Sequence, residues 1–152
     1  MKLRFVCSTH RSWLESDIGA TQACWLSSYN QALGLSNALE TIKAVNYAGS
    51  ALEAAELLIF THGRHGAGDI QRFIDSAVLL CHTLSGIEQP RLVCGVIGGS
   101  IARLQELMLQ GIERTTVLQG CQRLLTVAEE SPLQSQVISR GELTFPSIRN
   151  VH

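Results

Sequence analysis

Leu57-Leu58-Ile59-Phe60-Thr61-His62-Gly63 is the stretch on which the fold turns. Upstream of it, Ser50 followed three residues later by Glu53 is a capping-box pattern and opens a short helix over 51–56. The apolar run 57–61 either prolongs that helix or forms a buried strand, and periodicity alone does not separate the two. Glycines at 63, 66 and 68 close the run. A glycine-rich stop directly after a short apolar run predicts a strand that ends in a loop.

The same reading extends in both directions. Leu3 to Cys7, with Phe5 and Val6, predicts a first strand. Trp25, Leu26, Tyr29 and Leu33 recur at helical spacing, so 18–33 reads as a helix that Gly34 stops. Ser36 or Asn37 opens another, to about Val45. Asp69 caps a helix with Ile70, Phe73, Ile74, Ala77, Val78 and Cys81 on its apolar face, ended by Gly86. Pro90 introduces 92–97, the clearest buried strand, and Gly98-Gly99-Ser100 turns from it into a helix carrying Ile101, Leu104, Leu107, Met108 and Ile112. A strand over 115–118, a helix over 122–128, and a hairpin of 137–139 with 142–145 around Arg140-Gly141 complete the chain. Strands alternating with helices predict one α/β domain over 1–152: a mostly parallel sheet flanked by helices, with a C-terminal β-hairpin.

Composition narrows the function classes. Of 152 residues, 45% are hydrophobic and only 16% charged, with a formal net charge of −1. A chain this apolar is expected to cover part of its surface with a second copy of itself, as a homo-oligomer, most simply a homodimer. No basic excess points to nucleic acid or to an anionic membrane. No apolar run reaches the length of a membrane span, and no targeting segment is recognisable. Five widely spaced cysteines without a CxxC pair fit reduced, mostly buried thiols, and the cytoplasm is the expected compartment. No motif calls for a cofactor or a metal.

Three expected strand ends are chemically distinctive: Ser8-Thr9-His10, the segment 61–69, which is the richest, and Gly98-Gly99-Ser100. The segment Thr61-His62-Gly63-Arg64-His65-Gly66-Ala67-Gly68-Asp69 places two histidines, an arginine, three glycines and an acid within nine residues. Glycines let backbone N–H groups approach a ligand, Arg64 suits a bidentate anion, and His62 or His65 suits proton or phosphoryl transfer near neutral pH. Gly98-Gly99-Ser100 at a helix start offers a second anion seat. The candidate site is therefore His62 and His65 as catalytic groups, with Thr61, Gly63, Arg64, Gly66, Asp69, Gly98, Gly99 and Ser100 binding a small anionic ligand. Neither a Walker loop, a dinucleotide fingerprint nor a nucleophile elbow is present.

Two short resemblances touch these residues. Thr61-His62-Gly63 followed by an apolar run ending Gly98-Gly99-Ser100 resembles the IIA domains of the mannose-type phosphotransferase system. That resemblance implies a phosphoryl group on His62. The interval between the two elements is shorter here, over fifty residues precede the first, and the acidic partner before Gly-Gly is missing. Arg64-His65-Gly66 is similar to the Arg-His-Gly of histidine phosphatases, which carry it after the first strand of a longer domain. Neither likeness names a family for this chain.

Two functions are compatible with these features. One is a non-enzymatic interaction or regulatory domain acting as a homo-oligomer, which the low charge favours. The other is a phosphate-binding or phosphoryl-handling enzyme built on the 61–69 loop and the 98–100 turn.

Overall fold

A computed structural model describes residues 3–37 and 39–130. Six helices account for them: α1 (Ser8–Ser16), α2 (Ile18–Asn37), α3 (Thr41–Phe60), α4 (Ala67–Gly86), α5 (Pro90–Leu109) and α6 (Arg114–Glu129). There is no strand among the described residues, so the expected α/β fold with a parallel sheet is corrected to a helical bundle. The expected hairpin over 137–145 lies outside the described residues.

The 57–61 run belongs to α3. Helix α3 is surrounded: Leu57 packs with Val6 and Leu14, while Ile59 joins the main core with Phe73 and Ile74 of α4. A helix buried on several sides reads as a continuous apolar run, as a buried strand does. Ala44, Ala48, Ala51, Ala54 and Ala55 are all buried in α3. Alanine is the best helix former and lets neighbouring helices come close. Gly63 is a helix-ending glycine. Its left-handed φ of 69° reverses the chain, so that the N–H of His62 bonds to the Leu57 carbonyl and that of Arg64 to the Leu58 carbonyl.

The other expected strands fail for related reasons. Residues 92–97 lie in α5, where Val93, Val96, Ile97, Ser100, Leu104 and Leu107 are buried at helical spacing. Pro90 stands in the first turn, where its fixed φ favours a helix start. Residues 115–118 lie in α6, with Val117 in the core. Residues 3–7 lead without regular structure into α1. Gly34, expected to stop α2, sits inside it.

Short connections make successive helices neighbours. Helix α4 is central: it packs on α2, α3, α5 and α6. Helices α3 and α5 both lie on α4, and their backbones do not approach each other closely. This leaves a groove between them, floored by α4. By length and composition α5 could also cross a membrane; in the bundle it packs between α4 and α6.

Candidate functional site

The 61–69 loop joins α3 to α4, and its polar groups are tied to the ends of helices. His62 points Nε2 at the carbonyl of Leu14, 2.8 Å away, and at Thr21 Oγ1, 3.2 Å away. A carbonyl only accepts, so Nε2 carries the hydrogen and donates it to Leu14. Thr21 donates its own hydroxyl to the carbonyls of Leu14 or Asp17. The ring thus fastens the α1–α2 junction to the end of α3. His65 likewise donates from Nε2 to the Ile59 carbonyl, at 3.1 Å, in the last turn of α3. Both histidines satisfy carbonyls near helix ends.

Arg64 and Asp69 do come together, on each other. Asp69 stands in the first turn of α4 and is 7% exposed. Its Oδ1 receives Arg64 Nε at 3.1 Å and Arg72 Nη1 at 3.0 Å. The Arg72 guanidinium also lies 5.5 Å from the centre of the Trp25 ring, whose Nε1 donates to Ser76 Oγ at 2.8 Å. The charge on Arg64 is therefore engaged. Gly66 precedes α4 as its N-cap, and Thr61 follows α3 as its C-cap.

Gly98, Gly99 and Ser100 lie in the middle of α5 rather than at a helix start. Their N–H groups belong to the helix ladder, so the expected exposed anion seat at this position is absent. Gly99 and Ser100 line the α3–α5 groove, which takes no residue from 61–69. The two expected halves of the site do not share a cavity there.

The groove has a volume of about 690 Å³. Phe73 and Leu80 of α4 form its floor; Leu52 of α3 and Leu92 and Val96 of α5 add apolar walls. One end is crossed by Arg103, which reaches Glu56 at 3.3 Å and covers the Phe60 ring at 4.4 Å. The N-terminal segment enters from the side. The N–H groups of Phe5 and Val6 both donate to Glu53 Oε1, and Arg11 pairs with Glu53 Oε2 at 3.2 Å. Both glutamates of the groove are therefore neutralised by arginines. Arg4 and Arg91 also line it, and among the described residues no carboxylate lies within ion-pair distance of either.

Two further properties single out the α5 wall. A Cβ added at Gly95, Gly98 or Gly99 would meet nothing within 4 Å. Each interior glycine disfavours a helix by about 1 kcal/mol relative to alanine, and no neighbour among the described residues requires any of the three; of them, Gly95 and Gly99 line the groove. Ser100 is 4% exposed, and its hydroxyl has no hydrogen-bond partner among the described residues. The other buried polar side chains, Thr21, Ser28, Glu53, Asp69, Ser76 and Thr83, each have one.

Sequence reasoning missed Glu53, Arg103 and Gly95 as groove residues. A signal existed: Gly95 and Gly99 stand four apart, and so share a helix face once 92–97 is helical. No family model, no curated protein and no solved structure matches the chain.

Proposed function

We propose that this protein is a non-enzymatic binding module whose receptor surface is the groove between α3 and α5. The observation that carries this reading is the bare α5 wall. Gly95 and Gly99, which line the groove, weaken the helix while no described residue fills the space a side chain there would take. Glycine at such positions keeps a wall low and lets an outside group approach the backbone. The groove's volume falls in the range of small-molecule sites, about 300–1,000 Å³, and its body is apolar with a few polar groups placed along it.

The alternative of phosphoryl chemistry at the 61–69 loop has less support. His62, His65, Arg64 and Asp69 all serve the helix ends or one another. Self-association remains part of the proposal. Leu118 and Leu125, seven residues apart on the outer face of α6, are half exposed and suit a second copy.

Fluorescence of the neutral dye Nile red tests the groove directly. The full chain is expected to raise its emission, and Gly99→Leu, which fills the groove from the α5 wall, is expected to abolish the rise. Gly99→Ala is expected to keep it. Equal emission with the leucine variant, its helical circular dichroism unchanged, would overturn the assignment. Sedimentation of the same samples reads self-association separately.

A further inference from the structure

The groove's polar groups define its ligand more closely, an inference that rests on the binding reading above. Glu53 and Glu56 are both held by arginines, so among the described residues the groove offers no free negative charge. Arg4 offers a positive one from the N-terminal segment, and Arg91 offers another. Arg91 stands in the first turn of α5, where the helix dipole also favours an anion. The far end is crossed by Arg103 on Glu56. Between Arg91 and Arg103 run twelve residues of helix, about 18 Å, over an apolar floor of Phe73 and Leu80. One negative head at one end and a long apolar body describe an anionic amphiphile. The guanidinium fork matches a carboxylate.

Ser100 adds a condition. It lines the groove and is almost wholly buried, and its hydroxyl has no partner among the described residues. A plain hydrocarbon chain laid against it would leave it unsatisfied, which is unfavourable. A ligand oxygen at that depth would satisfy it. Ser100 is nine residues beyond Arg91, about 13 Å along the axis, which places that oxygen well down the chain from the carboxylate. We propose that the groove binds a free long-chain fatty acid carrying a mid-chain oxygen, with its carboxylate on Arg91 and its oxygen on Ser100.

Displacement of Nile red from the full chain by 12-hydroxystearate and by stearate, both below their aggregation thresholds, tests this. The hydroxy acid is expected to bind about five- to tenfold more tightly, the worth of one hydrogen bond. Ser100→Ala should erase that difference. Arg91→Ala should weaken both acids but leave 1-octadecanol unchanged. Gly99→Leu should abolish all three, while Gly99→Ala folds and binds as the parent does. Equal binding of the two acids by the parent chain overturns the inference, as does octadecanol binding as tightly as stearate. Displacement by phosphatidylglycerol vesicles instead of free acid overturns it too. If Nile red still senses the groove and neither acid displaces it, the ligand class falls while the binding reading stands. If Nile red is insensitive to Gly99→Leu, both fall.

Discussion

The ring of Phe5 occupies the space that a side chain on Gly49 would need. Two hydrogen bonds from the backbone of Phe5 and Val6 to Glu53, one turn along α3, fix the segment there. Gly49→Ala must therefore push the ring out or shift α3. It is expected to destabilise the chain by about 1–3 kcal/mol, the usual cost of overpacking. Gly98→Ala has the opposite sign. Its Cβ meets nothing, so relief of the helix penalty should stabilise by up to about 1 kcal/mol. Urea denaturation of the two variants beside the parent decides the matter, and a destabilised Gly98→Ala would show that something packs on that face.

Asp69 is the hub of the α3–α4 loop. Removing its carboxylate frees Arg64 and Arg72 together and strips the first turn of α4 of its acid. Asp69→Ala is expected to cost about 2 kcal/mol. Each arginine is partly exposed and can rehydrate, so Arg64→Ala or Arg72→Ala alone should cost under about 1 kcal/mol. Denaturation midpoints test the order. Equal losses for all three variants would contradict a hub centred on Asp69.

The sequence makes the amphipathic helices legible and hides the enclosed ones. Helix α4 shows its face through Ile70, Phe73, Ile74, Ala77 and Cys81, and its end at Gly86 is where the sequence places it. Helix α3 has almost no polar face to reveal its period, because α1, α2 and α4 surround it. Its apolar end therefore mimics a strand, and Gly63 fits either reading until its left-handed φ is known. Residues 92–97 mislead similarly: Val93, Val96 and Ile97 are β-formers, and tertiary packing overrides that preference. For the site, the sequence places Arg64 and Asp69 on one loop and assigns Arg64 to an outside anion, whereas in the fold Arg64 pairs with Asp69. That they neutralise each other depends on where α4 begins, and the groove depends on α3 and α5 sharing α4 with their backbones held apart, a relation between distant helices.

His62 is a clamp in this fold. His62→Ala removes the donor to Leu14 and leaves that carbonyl and Thr21 to rearrange. The expected loss is about 1 kcal/mol, with faster amide hydrogen exchange confined to 14–21. Parent-like stability and exchange would remove the structural reason for the histidine and reopen the phosphoryl reading.

The thiols separate by environment. Cys7 and Cys94 are exposed, and Cys81 is buried. Burial, with a smaller contribution from the nearby Cys94, pushes the Cys81 thiol up from 9.0 to about 12. Burial also raises Cys24 and Cys121. Iodoacetamide at pH 8 should modify Cys7 and Cys94 first and Cys81 only on global unfolding. The linkage has a definite sign. The folded thiol stays protonated where the unfolded one ionises, so the unfolded state binds fewer protons above pH 9. Stability is fully present below about pH 9 and falls as pH rises toward 12. Cys81→Ala should flatten that alkaline decline, although the vacated volume lowers stability at neutral pH. A decline of unchanged steepness in the variant would assign the alkaline sensitivity to other groups.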